Sequence, residues 1–426
     1  MTLVIDEVWP RTATWAGDQL TIGGIGVREL AAEFGTPAYI IDQAEFEARC
    51  AEWRDALTGG EVHYGGKAFL CPEVVRWLDR LGLCLDVCTG GELAVARAGG
   101  IAPGRVVFHG NNKSVAELRA AVAWGVGCVV VDSFTEIDRL AAVAAEAGVR
   151  QSVLIRVTPG VNAHTHEFIA TGGDDSKFGF SLNAGLAAEA VSRVLARPSL
   201  ELTGLHSHIG SQITDLEGFA LAARRMADFL LACERRHGVT IRKLDFGGGL
   251  GIVHRPGDPV PPRPAEVVAV LRAVLPGHVR PAVEPGRSIA GPTTVALYEV
   301  GTVKEIPGVN TYISVDGGMS DNPRPAMYGA AYTATLASRA SGAPPRVATI
   351  VGKHCESGDV LIRDLPLPAD LRPGDLLAIP ASGAYQRAMA SNYNHVARPP
   401  VVAVRDGAAR VIVRRETEED LLRLYS

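Results

Sequence analysis

From about residue 60 the chain alternates short apolar runs with longer amphipathic stretches. The apolar runs fall at 61–64, 83–87, 106–110, 128–132, 152–157, 202–209, 243–249 and 281–286. Between most of them lie stretches such as "TEIDRLAAVAAEAG" and "LEGFALAARRMADFLLACERRHG", the second placing apolar residues three and four positions apart, as one face of a helix requires. Strand alternating with helix predicts a parallel sheet, and eight such units predict a closed (β/α)8 barrel of the TIM type. An open, doubly wound sheet is the structural alternative. Lys67, Asp86, His109, Asp132, Arg156, His208, Gly249 and Glu284 sit at or just past the ends of the eight runs. In a barrel of this type the active site forms at that rim.

After about residue 295 the texture changes. "TYISVDGG", "RVATIVG", "DLLAIPA", "PVVAVRDG" and "ARVIVRRE" read as strands broken by Gly, Pro and Asp, with little helix between them. The expected organisation is an N-terminal segment over 1–41 that joins this β domain through "TPAYIID", a barrel over 42–294 and the all-β domain over 295–426. "HRPGDPVPPRPAE" reads as a Pro-rich loop inside the barrel, because barrel pattern resumes after it.

Composition narrows the field. A chain of 426 residues suits one large domain and a smaller one, and 47% hydrophobic with 21% charged residues describes an ordinary globular protein. A net charge of −5 gives no electrostatic reason to expect nucleic acid, and no apolar run reaches the length of a membrane span. "MTLVIDEVWPRT" lacks the basic start and apolar core of a signal peptide. Seven scattered cysteines without Cys-x-x-Cys pairs suggest a reducing compartment, hence the cytoplasm.

The candidate chemistry begins at "EVHYGGKAFLC". Only six of the 42 basic residues are lysines, and one of them, Lys67, stands at a strand mouth between Gly66 and the apolar Ala68, Phe69 and Leu70. A lysine so placed can form a Schiff base with a carbonyl. "DFGGGLG" (245–251) follows what counts as the seventh strand, where barrels favour phosphate; its plain reading is a turn that needs positive φ. His206 and His208 share a strand face, a spacing that suits two metal ligands, and "AHTH" (163–166) offers another pair. A metal-dependent barrel hydrolase is therefore a rival, although no nearby Asp or Glu completes the ligand set. A stacking histidine explains one of the two equally well. "VEPGRSIAG" carries Glu284 and Arg287, either a surface ion pair or a carboxylate able to hold a pyridinium nitrogen protonated. Cys355, in "GKHCESGDVL", reads by itself as a small buried hydrophobe. Lysine anchor, phosphate loop, stacking histidine and carboxylate together meet the demands of pyridoxal 5′-phosphate on a barrel.

With these motifs the sequence resembles the barrel-type (fold type III) pyridoxal-phosphate-dependent amino-acid decarboxylases, and among them those acting on meso-2,6-diaminopimelate. The resemblance runs from "GTPAYIID" to "RRETEEDLL" and includes "YGGKAFLC", "HGNNKS", "GLHSHIGSQ", "EPGRSIAGP", "VDGGMSDNPRPAMYGA" and "GAYQRAMASNYN". It implies that Lys67 carries the cofactor and that His208 stacks on its ring. It also implies that Glu284 pairs with the ring nitrogen. Ser211, Gly248, Gly249, Pro285, Gly286, Arg287 and Tyr385 become cofactor contacts. Cys355 becomes the acid that protonates the product, and Arg287, Arg324, Tyr328, Glu356 and Tyr385 bind substrate. The family supplies Cys355 and Glu356 from a second subunit, so a homodimer with shared sites is implied. The activity implied is release of carbon dioxide from meso-2,6-diaminopimelate to give L-lysine, the last step of lysine biosynthesis, with no metal. A sister decarboxylase for another diamino acid or a carboxylated polyamine is the near alternative. An amino-acid racemase would need a second base facing the cofactor, and a catalytically dead homologue would be expected to lose Lys67.

Overall fold

Eight short parallel strands close on themselves in the computed structural model, which describes residues 8–161 and 176–425. The "AHTH" pair lies outside the described residues. The strands are β1 (Glu61–Gly65), β2 (Cys84–Val87), β3 (Val106–Phe108), β4 (Cys128–Val131), β5 (Gln151–Thr158), β6 (Leu200–His206), β7 (Lys243–Asp245) and β8 (Arg280–Val283). Each pairs with the next, and β8 returns to β1 through Ala282↔Glu61 and Val283↔Val62. That closure excludes the open sheet. Strands wrapped by helices are buried on both faces, which is why the strand at 128–131 is unbroken apolar sequence rather than alternating.

The helices follow from their caps and stripes. Ser133 accepts the Glu136 N–H at the head of Phe134–Glu146, supplying a partner that the first helical turn lacks. Glu217–His237 buries Phe219, Ala222, Ala223, Met226, Leu230 and Cys233, one helical face turned to the barrel wall.

A second compact unit comprises residues up to Ala48, Ile252–Pro259 and Arg287–Ser426. Its main sheet runs in the order 360–368, 345–351, 310–315, 294–306, 38–42, 401–405 and 408–413, with 376–379 also bonded to 294–306. Strand 38–42 is buried throughout, antiparallel to 294–297 and parallel to 401–404, so the N-terminal segment is an interior strand of this sheet. Ile252 and Val253 pack in this unit's core with Val8, Leu20, Ile40, Val295 and Val402. The Pro-rich stretch expected as a barrel loop therefore begins inside the second unit's core, an excursion that local pattern does not show. Among the described residues no helix is long and apolar enough to cross a membrane.

Candidate active site

The barrel's strand ends gather the chemistry of the first unit. β1 stops at Gly65, whose N–H donates to Pro285 O at 3.2 Å, and the chain turns through a single 3-10 turn over Gly66–Ala68. A Cβ at Gly66 would stand 2.8 Å from Asp86 O, so only glycine fits that turn. Gly66, Ala68 and Phe69 are buried, yet Lys67 between them is exposed. The apolar neighbours anchor the turn, and Lys67 itself stays exposed at the rim. The other lysine of the rim motifs, Lys113, is fully buried: its Nζ meets Glu136 at 2.6 Å and donates to Gly110 O and Val130 O. Its three donors are used inside the fold.

Glu284, just past β8, is the centre of the site. Its Oε2 lies 3.2 Å from His206 Nε2, and its Oε1 lies 2.7 Å from His109 Nε2. Burial by itself would raise its pKa, but the two imidazoles overcome that and hold it well below the usual carboxylate range. Two more buried acids stand nearby. Asp86 is pushed well up, first by burial and then by the charge on Glu284, and Asp245 is pushed up to about 6 by the same two causes in the same order. His109 is pulled down to about 4 by its burial, against the pull of Glu284. Of the three acids Glu284 ionises most readily, the division of roles by environment that active sites use.

His208 is half-buried and its Nδ1 accepts the Gly248 N–H at 3.2 Å, which places its ring proton on Nε2. Burial, and then the charge of Lys67, keep the ring neutral by lowering its pKa well below normal. His206 and His208 therefore do not act as one ligand pair. β6 ends at His206, so the period-two alternation that would put both on one face stops there. His206 Nε2, His109 Nε2 and a Glu284 oxygen do lie within 4.8 Å of one another, a set that could hold a metal ion.

The glycine loop after β7 is tight against its surroundings. A Cβ on Gly248 would come within 2.3 Å of Glu284 O, and one on Gly249, at φ +116°, within 2.6 Å of Gly210 O. The turn brings backbone N–H groups together as a phosphate site requires, with the Gly247 N–H held by Asp245 Oδ1 and the Gly248 N–H by His208 Nδ1. Ser211 is half-buried on the neighbouring loop, while Pro285 and Gly286 are buried. Glu284 Oε1 is buried with no hydrogen-bond partner in line, despite the nearby His109. A glycine-walled loop beside a charged carboxylate with one unsatisfied oxygen fits a phosphorylated pyridine whose ring nitrogen bears a proton.

The second unit holds a cationic cluster. Arg287 and Arg324 are both buried, with guanidinium carbons 4.8 Å and 5.7 Å from the Tyr385 ring centre. Arg287 is pulled down to about 10, first by burial and then by Arg324. Arg324 Nε and Nη1 are buried without hydrogen-bond partners among the described residues. A buried cation left so is completed by an anionic ligand. Tyr328 is half-buried on the short helix Arg324–Tyr328. Two residues of this cluster were not anticipated. His254, pulled down to about 3 by burial and then by Arg287 and Arg324, meets the Tyr332 ring edge-on at 5.3 Å. Nothing in the Pro-rich loop signals this, since the cluster joins segments far apart in the chain. Cys355 and Glu356 are exposed on a loop of the same unit.

Residues 43–291 match the family model described as "Pyridoxal-dependent decarboxylase, pyridoxal binding domain". The chain is 54% identical to a diaminopimelate decarboxylase of Mycobacterium tuberculosis, over 98% of this chain and 97% of the relative. It is 43% identical to one from Bacillus subtilis, over 95% and 94%. A diaminopimelate decarboxylase from M. jannaschii, solved in complex with L-lysine, superposes with a TM-score of 0.90 at 32% identity, covering 97% of both chains.

Proposed function

The chain belongs to the pyridoxal-dependent decarboxylases, so its cofactor is pyridoxal 5′-phosphate, and we propose that it converts meso-2,6-diaminopimelate to L-lysine and carbon dioxide. Arg324 carries the substrate assignment: a buried guanidinium with two unsatisfied nitrogens suits the second carboxylate that distinguishes this substrate from lysine or ornithine.

When bound, the cofactor supplies an electron sink for the pair left behind by departing carbon dioxide. Lys67 would hold it covalently through Nζ, and Glu284 would keep its ring nitrogen protonated. His208 would lie against the ring, a role its neutral state favours because a charged imidazole would oppose the protonated ring. Ser211, the backbone of Gly248 and Gly249, the Pro285–Arg287 turn and Tyr385 would hold the remainder. At the far end of the substrate Arg287, Arg324, Tyr328 and Tyr385 take the distal carboxylate, and Glu356 the distal ammonium. Cys355 Sγ gives its proton to the α-carbon, leaving a thiolate that water reprotonates. Exposure of Cys355 and Glu356 supports delivery of both to the barrel of a second copy, an isologous homodimer. The seven cysteines form no disulfide among the described residues, which suits the cytoplasm.

The test is stoichiometric release of lysine and carbon dioxide from meso-2,6-diaminopimelate by the holoenzyme, with ornithine and lysine as comparison substrates. Equal kcat/KM on a diamino acid lacking the second carboxylate would overturn the assignment.

A further inference from the structure

The Cys355 loop is held by side chains from three separate segments. Asp359 accepts the Met319 N–H at 2.6 Å and the His354 N–H at 2.8 Å. Its carboxylate lies so close to Gly318 and Gly352 that a Cβ on either would come within 2.6 Å or 2.2 Å of it. That fixes both ends of the loop. The middle is fixed by Asn394. Its Oδ1 faces the Cys355 N–H at 3.3 Å and His354 Nδ1 at 3.2 Å, while His354 Nε2 meets Ser320 Oγ at 2.9 Å.

The protons in this chain are determined by the one group that can only donate. Cys355 N–H donates, so the Asn394 atom facing it is the amide oxygen. The same oxygen then requires a proton on His354 Nδ1. Nε2 is left to accept from the Ser320 hydroxyl. Every member of the chain then has a partner, and His354 is buried while Cys355 beside it is exposed. Asn394 also has a left-handed backbone (φ 51°, ψ 26°), a conformation that Asn tolerates and most residues do not. An exposed loop tip has little packing to fix it, so these bonds decide where the thiol stands.

We propose that Asn394, backed by His354 and Ser320, is a positioning residue that sets the place of the Cys355 thiol for protonation of the product. This rests on the reading of Cys355 as the proton donor. Asn394→Gly keeps the left-handed backbone accessible and removes the acceptor; Asn394→Asp keeps the acceptor. Displacing a reacting group by about 1 Å costs up to about 100-fold, so Asn394→Gly should lower kcat by roughly 10-fold to 100-fold with KM within about twofold. Because the proton transfer is then slower, the solvent deuterium isotope effect on kcat should rise above the wild-type value. Asn394→Asp should restore kcat to within about threefold. Ser320→Ala, which loosens only the far end, should give a smaller loss of the same kind, and it decides the matter if Asn394→Gly does not fold. Unchanged kcat and isotope effect in a folded Asn394→Gly or Ser320→Ala enzyme, with Cys355→Ala strongly impaired, would overturn the proposal alone. If Cys355→Ala itself keeps wild-type kcat, the proton-donor reading fails and the proposal falls with it.

Discussion

Replacing Arg324 by Met removes a buried guanidinium and keeps most of the apolar stem, which separates charge from packing. The free protein has little to lose. Arg324 Nε and Nη1 have no hydrogen-bond partners among the described residues, and its charge presses on Arg287, whose pKa it helps to pull down to about 10. Arg324→Met therefore strands no buried anion and relieves a like-charge contact, so thermal stability should hold or rise. With substrate bound the balance reverses. Truncating one partner of a desolvated charge pair costs about 2–5 kcal/mol, or roughly 30-fold to 4,000-fold in kcat/KM for diaminopimelate. The assay compares meso-2,6-diaminopimelate with D-lysine used as a poor substrate, since D-lysine keeps the configuration of the carbon that loses carbon dioxide and lacks only the distal carboxylate. The loss should be confined to diaminopimelate, with the absorbance of the bound cofactor unchanged. A loss below about threefold, an equal loss on both substrates, or a fall in Tm of several degrees would show Arg324 to be a structural cation and refute the reasoning.

Lys67→Ala should abolish the cofactor link that borohydride traps, because the rim's other motif lysine, Lys113, is buried against Glu136; cofactor still fixed to the variant would show the anchor to lie elsewhere. Mixed Lys67→Ala and Cys355→Ala chains, each nearly inactive alone, should recover roughly a quarter of wild-type activity once subunit exchange is demonstrated, since half the dimers are mixed and one site in each is intact. Recovery absent after proven exchange rules out a shared site. Asp245 titrates near 6 in the fold, raised by burial and then by Glu284, against an ordinary 3.8. Its stability contribution is thus fully present below about pH 4 and lost as pH rises to about 6. Asp245→Asn escapes that loss, so its advantage over wild type in urea unfolding should grow between pH 4 and pH 7 to at most roughly 3 kcal/mol, and an advantage independent of pH would contradict the shift.

Much of the architecture was legible locally. Strand and helix periods are properties of ten or twenty consecutive residues, and a parallel barrel places every strand's C-terminal end at one rim, so Lys67, His109, His208 and Glu284 could be grouped before any contact was known. The glycine loop was legible for a similar reason, because close backbone approach excludes side chains at Gly248 and Gly249. Periodicity failed where the strand ended: His206 and His208 look like a pair along the chain, but one turns to Glu284 and the other to the Gly248 N–H. Which of Asp86, Asp245 and Glu284 ionises most readily was also beyond the sequence, since all three are acids at strand ends. Burial and two imidazoles decide it. His254 joined Arg287 and Arg324 only because Ile252 and Val253 draw that segment into the core of the second unit. Residue type and spacing determined which groups could take part. Protonation and pairing depend on desolvation and on neighbours distant in the chain, and those the tertiary structure alone decided.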